Sequence, residues 1–260
     1  MIIDNRSRGI APAESGFILM DLTEEKPNFS GIDAVFHLAA KVTGVVHSDE
    51  GLTLRDNLQI DLNVIASCIE YHVQRIIYAS SCSAEVEQET GYGLAKLTTE
   101  KILAKTKELP SVILRLFNVY GPGESFLGDT HVIPELLRKA MWEKEIRVYG
   151  DGSQTRPFLY VRDAVDAYVR ALTSQTGLLP IDIAGPDQVS IAELLKVIME
   201  ETRSQAKISF DLEAPSGPMD VLPDLMKAER VLRWSPRTPI EEGIRKTAEW
   251  MRLVHTPSIQ

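Results

Sequence analysis

Gly91-Tyr92-Gly93-Leu94-Ala95-Lys96 is the stretch whose reading decides the fold. It opens a run of helix-forming residues, Leu94 to Lys107, so Tyr92 and Lys96 stand four residues apart. That spacing sets both side chains on one helix face, one turn apart. A tyrosine is a poor base near neutrality, because its ordinary pKa is about 10. An ammonium one turn away favours the phenolate and lowers that value. Such a pair can act as general base and acid on a substrate hydroxyl. Taken alone, the spacing is a weak signal, because Tyr-x-x-x-Lys occurs by chance in many helices as an exposed aromatic beside a solvated lysine. The surrounding chain has to discriminate.

On either side, short apolar runs alternate with amphipathic stretches. Phe17–Met20, Asp33–Ala39, Arg75–Ser80 and Val112–Val119 read as strands, and Asn57–His72 and Val132–Lys144 as helices. This alternation predicts right-handed crossovers and a parallel sheet with helices on both faces. After Trp142 the texture changes. Arg147–Tyr149, Phe158–Val161 and Pro180–Ala184 read as short strands, and Arg162–Thr173 as a helix. Ser190 with Glu193 forms a capping box for a helix over Ile191–Arg203. Prolines at 215, 218, 223, 236 and 239 predict a tail of short pieces. The expected organisation is a dinucleotide-binding domain over 1–145 and a smaller α/β lobe over 146–260, with some strand exchange between them.

At 260 residues, the chain can bury one large core or two unequal ones. A net charge of -9 without a basic run argues against nucleic acid as a partner. No run is long and apolar enough to suggest a membrane span, and Met1-Ile2-Ile3 passes at once into Asp4-Asn5-Arg6, which predicts no signal peptide. Two cysteines, Cys68 and Cys82, fit a reducing cytoplasm. The five histidines are too scattered for a metal motif.

The segments in order are Ile3-Asp4-Asn5-x-Ser7-Arg8-Gly9, Asp21-Leu22, His37-Leu38-Ala39-Ala40, Asn57, Ala79-Ser80-Ser81, Tyr92-x-x-x-Lys96, Arg115-x-Phe117-Asn118-Val119-Tyr120-Gly121-Pro122-Gly123, Tyr149 to Arg156, and Tyr160-Val161-x-Asp163. Over nearly its whole length the chain resembles the extended short-chain dehydrogenase/reductase family, the NAD-dependent sugar-nucleotide epimerases and dehydratases. The resemblance implies a Rossmann-like doubly wound sheet and NAD as cofactor. It implies Ser81, Tyr92 and Lys96 as the catalytic group. Asp4 and Asn5 would meet the adenine ribose, Asp21 and Leu22 the adenine, and Leu38, Ala39, Ala40 and Asn57 the cofactor's passage, with Tyr92 and Lys96 at the nicotinamide ribose. Ser81, Ser83, Asn118 and Arg156 would contact the nucleotide-sugar, Arg156 through its diphosphate. Dimerisation would run through the helix after the Ser81 strand and the Tyr/Lys helix. The plain alternatives are a surface turn at Asp4, a helix cap at Asp21, helix–sheet packing at Ala39-Ala40 and a surface arginine at Arg156.

Three departures matter. Family members open with a strand and Gly-x-x-Gly-x-x-Gly leading into a helix that receives the NAD pyrophosphate. None of the 16 glycines here forms that motif; Gly121-Pro122-Gly123 with Gly128 follows a later strand. The resemblance therefore implies an absent unit of roughly 25–30 residues, and an incomplete sequence is expected. The stretch from Ala84 to Thr90 is short and acidic, which leaves the sugar open. Gly217-Pro218-Met219-Asp220 stands where relatives often carry an arginine. Epimerisation through a transient keto sugar is the expected reaction. Cys82-Ser83 takes the place of the Asp-Glu pair of dehydratases, and Cys82 is either a proton-transfer group or a buried inert thiol. A nucleotide-sugar-binding protein without redox chemistry is the alternative.

Overall fold

The computed structural model describes residues 1–7, 16–42, 49–126, 131–175, 179–213 and 222–255. Arg8, Gly9, Gly128 and the stretch 217–220, singled out above, lie outside them.

In chain order the elements are β1 (Ile2–Asp4), β2 (Phe17–Leu19), β3 (Ala34–His37), α1 (Glu50–Glu70), β4 (Arg75–Ser81), α2 (Ser83–Val86), α3 (Gly91–Lys105) and β5 (Ser111–Leu116). Then come β6 (Val119–Tyr120), α4 (Val132–Trp142), β7 (Glu145–Tyr149), β8 (Thr155–Pro157), β9 (Leu159–Tyr160) and α5 (Val161–Ala171). The last are β10 (Ile181–Ile183), β11 (Gln188–Ser190), α6 (Ile191–Thr202), β12 (Lys207–Asp211), α7 (Leu225–Leu232) and α8 (Ile240–Val254). Two compact units interleave along the chain. The first holds Met1–Leu116, Asp166–Ile183 and Asp224–Trp234; the second holds Phe117–Val165, Ala184–Pro223 and Ser235–Gln260. The predicted boundary at 145 falls inside the second unit.

The first unit is a Rossmann-like α/β fold. Its main sheet is parallel, in the order β10-β5-β4-β3, and β1 pairs with β2 in a separate parallel ribbon. β4 (RIIYASS) is buried along almost its whole length, as a central strand covered on both faces must be. Ile60, Val64, Ile65 and Cys68 of α1 pack on Ile76 and Tyr78 of β4, with Leu22, Phe29 and Leu103 completing the core. α1 begins two turns before the predicted start, because Asp49 caps it by accepting a hydrogen bond from Leu52 N at 3.0 Å.

The second unit has its own core, built on Leu137, Ile146, Leu194, Ile198, Ile244 and Met251. β7 pairs in parallel with β12, β6 with β9, and β8 runs antiparallel to β11. The Ser190–Glu193 capping box forms as predicted. The proline-rich tail, expected as short pieces, carries a 15-residue helix, α8. Pro239 is its N-cap residue, where the missing N–H breaks no intrahelical bond.

Candidate functional site

The start of α3 is pressed against its neighbours, which explains the glycines around Tyr92. A Cβ on Gly91 would run into the Glu50 carbonyl, and one on Gly93 into the carbonyls of Glu87 and Ser83. Thr90 caps the helix through Gly93 N at 3.0 Å, and the Glu50 carboxylate accepts the Gly91 N–H, a negative group at a helix N-terminus. Tyr92 is thereby fixed with its hydroxyl hydrogen-bonded to Ser81 at the carboxyl end of β4. The Ser81 hydroxyl also accepts from Ser83 N at 3.2 Å.

Lys96 is fully buried, with 1% of its surface exposed. Its Nζ lies 4.6 Å from the Tyr78 ring centroid and 5.7 Å from that of Tyr92. Burial lowers its pKa, while Asp61 and Glu100 act in the opposite direction. Asp61 is the buried counter-charge. It accepts hydrogen bonds from Tyr78 Oη at 2.8 Å and Thr99 Oγ1 at 2.7 Å, and His37 Nε2 lies at 2.7 Å. Burial pushes the Asp61 carboxyl up, but Lys96, His37 and Thr99 together hold it below the ordinary carboxylate value. Sequence reasoning missed Asp61. The available signal was an acidic residue beside Ile60, Val64 and Ile65, on the face that α1 buries.

Tyr92 departs from the simple expectation. Desolvation pushes its phenol up to about 12, against the hydrogen bond from Ser81, and Cys82, Asp61 and Glu87 push the same way as desolvation. The Lys96 ammonium, which lies nearer the Tyr78 ring and has Asp61 as counter-charge, does not bring the phenol down to its ordinary value. At neutral pH Tyr92 is a phenol, ready to donate a proton.

Seven of the ten candidate cofactor residues, Asp4, Asn5, Asp21, Leu22, Leu38, Ala39 and Ala40, line one cavity of about 600 Å³ in the first unit. Asn5 Nδ2 donates to Asp21 at 3.2 Å, joining the carboxyl ends of β1 and β2. Hydrogen bonds from Thr23 lower the Asp21 pKa. Asp4 accepts from Arg6 N at 2.5 Å. Asn57 acts differently: it accepts from Lys41 N at 2.9 Å and donates to the carbonyls of Lys41 and Thr53. Its polar atoms hold the loop after Ala40 and do not line the cavity. Ser83 donates to Glu87 at 2.5 Å. Cys68 is a buried thiol pushed up to about 12.

Asn118 and Arg156 belong to the second unit. Asn118 has a left-handed backbone, φ 40°, and its side chain donates to Pro157 O at 3.3 Å. Arg156, half-buried, sits in β8 opposite Val189. Among the described residues no cluster of His, Cys, Asp and Glu can hold a metal ion, and no helix is long and apolar enough to cross a membrane.

The family model described as "NAD dependent epimerase/dehydratase family" matches residues 2–183. The chain belongs to this family, within the extended short-chain dehydrogenase/reductases. It is 30% identical over 247 residues to a dTDP-4-dehydro-6-deoxy-D-allose reductase of a Streptomyces species, covering 85% of this chain and 75% of the relative. It is 27% identical over 279 residues to a putative UDP-glucose 4-epimerase of Methanocaldococcus jannaschii, covering 97% and 90%. The solved UDP-glucose 4-epimerase of Thermotoga maritima, with UDP-glucose, superposes with a TM-score of 0.85 at 25% identity, covering 96% of this chain and 90% of that one. NAD is the family's cofactor. The cavity rim suits its adenosine end: a carboxylate at Asp4 for ribose hydroxyls, and small residues at Ala39 and Ala40 where backbone must come close.

Proposed function

We propose that the protein is an NAD-dependent epimerase of a nucleotide-activated sugar, working through a transient keto sugar. The observation that carries this reading is the Ser81–Tyr92 hydrogen bond at the end of β4, backed by the buried Lys96. Asp4, Asn5, Asp21, Leu22 and Leu38 to Ala40 would hold the cofactor, with Lys96 at its nicotinamide ribose. The chemistry supplied by bound NAD is removal of a hydride from a sugar carbon and its later return.

The protein's own part is proton handling. Ser81 orients the sugar hydroxyl toward Tyr92. Once Tyr92 has lost its own proton to solvent, its phenolate takes that hydroxyl's proton as the carbon is oxidised and gives it back when the keto group is reduced. Lys96 stabilises the phenolate formed transiently in a site whose burial otherwise disfavours it. Arg156 pairs with the diphosphate of the substrate, and Asn118 and Ser83 complete the sugar contacts. A homodimer and a cytoplasmic location belong to the same reading; the helix after the Ser81 strand is only the four-residue α2, so the helix expected beside the Tyr/Lys helix at the interface is replaced in this reading by α1, whose exposed Leu62 and Ile69 lie seven residues apart on one face.

The second reading, a nucleotide-sugar-binding protein without chemistry, makes no use of a buried lysine beside a hydrogen-bonded tyrosine. Incubation with UDP-, dTDP- and GDP-hexoses and catalytic NAD separates the two. An epimer formed without net NADH supports the enzyme. Binding without any product supports the alternative.

A further inference from the structure

The first unit holds a buried phenol that the proton handling above does not use. Tyr168 stands near the end of α5, in the stretch Asp166–Ala171 that belongs to this unit. Among the described residues its hydroxyl oxygen is sealed from solvent and makes no hydrogen bond. Such orphans are rare in folded proteins, because a buried hydroxyl without a partner has lost its water without a replacement. The ring itself is well packed, edge-on to Phe36 with centroids 6.2 Å apart. Packing of the ring leaves the oxygen unexplained.

The direction of the hydroxyl follows from α5. Arg75, the first residue of β4, donates from Nη1 to Ala171 O at 2.9 Å and to Ser174 O at 2.7 Å, so α5 ends beside the start of that strand. Phe36, which Tyr168 meets, is level with Ile77 in the β3–β4 ladder, two residues further along. From Ala171 back to Tyr168 the helix therefore climbs toward the carboxyl end of β4. Side chains on a helix lean toward its amino end. The Tyr168 hydroxyl is thus aimed at the end of β4, where Ser81 and Tyr92 meet. The electrostatics agree. Burial holds the Tyr168 phenol well above the ordinary tyrosine range, and an ionised Tyr92 pushes it the same way.

To take a proton, Tyr92 must first be a phenolate. The groups around it are Ser81 and Cys82 at the end of β4, Glu87 after α2, Asp61 of α1 and Lys96 of α3. Burial opposes a negative charge there most, and Cys82, Asp61 and Glu87 add to it. We propose that Tyr168 is a positioning residue for Tyr92: its unpaired O–H turns toward the Tyr92 oxygen and steadies it as a phenolate. A hydroxyl hydrogen rotates to suit its acceptor. The interaction is weak while Tyr92 is neutral and strong once it is charged, which is the kind of difference that speeds a reaction. The proposal rests on the reading that Tyr92 moves the proton, but its test measures ionisation and not turnover.

The full 260-residue chain is made with a fluorinated tyrosine in place of Tyr92. Fluorine lowers the pKa of the phenol, which keeps the titration in the range where the protein is folded, and its magnetic resonance signal reports that one side chain. The reporter is titrated in the parent, in Tyr168→Phe and in Tyr168→Leu. In both variants it should ionise about tenfold less readily, a rise of about one pKa unit, as loss of one hydrogen bond to a charged group implies. Tyr168→Phe keeps the ring on Phe36 and should melt no lower than the parent at neutral pH, since it removes a hydroxyl that has no partner. Tyr168→Leu loses the ring and should melt lower. An unchanged reporter in Tyr168→Phe would overturn the proposal. So would a shift in Tyr168→Leu alone, which assigns the effect to packing, or a lower melting temperature for Tyr168→Phe, which gives the hydroxyl a partner of its own. Turnover of the Tyr92→Phe variant, measured separately, tests the reading on which the proposal rests.

Discussion

Replacing Asp61 by Asn should destabilise the first unit far more than a change of one atom suggests. Asp61 is 1% exposed, has three side-chain partners within 2.8 Å, and is the largest charge acting to keep Lys96 protonated. Breaking a buried ion pair by removing one member costs about 3–5 kcal/mol, because the other charge is left uncompensated. The amide also turns a donor toward Tyr78, Thr99 or His37, which is worth a further ~1–3 kcal/mol. A loss of about 4 kcal/mol corresponds to a fall of about 8–16 °C in melting temperature for a chain of this size. Because two units need not unfold together, exchange of the β4 amides is the assay for the first unit. Adding Lys96→Met removes the orphaned ammonium, so the double variant should lie about 2 kcal/mol or more above the sum of the single losses. The pH dependence has a definite sign. Asp61 is depressed below its ordinary value of 3.8, so its contribution is present above that pH and lost as pH falls through the folded-state value. The Asn variant should lack that acid-side loss. An Asp61→Asn protein within ~1 kcal/mol of the parent, or a strictly additive double variant, would refute the buried-pair argument.

Tyr92→Phe should cut turnover at least ~100-fold with the fold intact, as expected for loss of a general acid–base group; near-parental turnover would remove Tyr92 from the chemistry. The same variant has a stability signature. A phenol raised from 10 to about 12 favours the folded state fully below pH 10, and that contribution disappears as pH rises to 12. The parent should therefore lose about 3 kcal/mol relative to the variant across that window, read from urea midpoints at each pH. Arg156→Ala should weaken nucleotide-sugar binding at least ~10-fold, as loss of a charge-assisted contact implies, and leave NAD affinity unchanged; calorimetric titration with each ligand measures the two affinities separately. Asn57→Ala strips the Lys41 backbone of its partners and should cost ~1–3 kcal/mol, with faster exchange at the Lys41 amide as the direct readout.

Much of the fold was legible because each parallel strand carries its own apolar run and each helix its own face. The strand over Arg75–Ser80 and the Tyr92 helix could be placed by period and spacing alone. The 15-residue α8 was hidden because prolines were counted as breakers without regard to position; Pro239 stands at the helix entrance, where proline is well suited. β12, with its alternating Lys-Ile-Ser-Phe-Asp, was overlooked beside the same prolines. The Tyr/Lys pair was legible and its electrostatics were not. The spacing says that an ammonium is near, whereas desolvation and the competing claim of Asp61 on Lys96 depend on three-dimensional burial. Asp61 itself gathers His37, Tyr78 and Thr99 from 24, 17 and 38 residues away. Nothing local in α1 marks it as more than one acidic residue in a helix.

The central claim, inversion of a sugar carbon by hydride removal and return with Tyr92 moving the proton, is tested most directly by product analysis. The protein is incubated with catalytic NAD and a panel of UDP-, dTDP- and GDP-hexoses deuterated at the ring carbon to be inverted. The account predicts an epimer that keeps its deuterium, no accumulation of NADH, and loss of the product signal in the Tyr92→Phe variant. An epimer that has exchanged its deuterium for solvent hydrogen, or NADH formed in step with an oxidised or decarboxylated sugar, would contradict it.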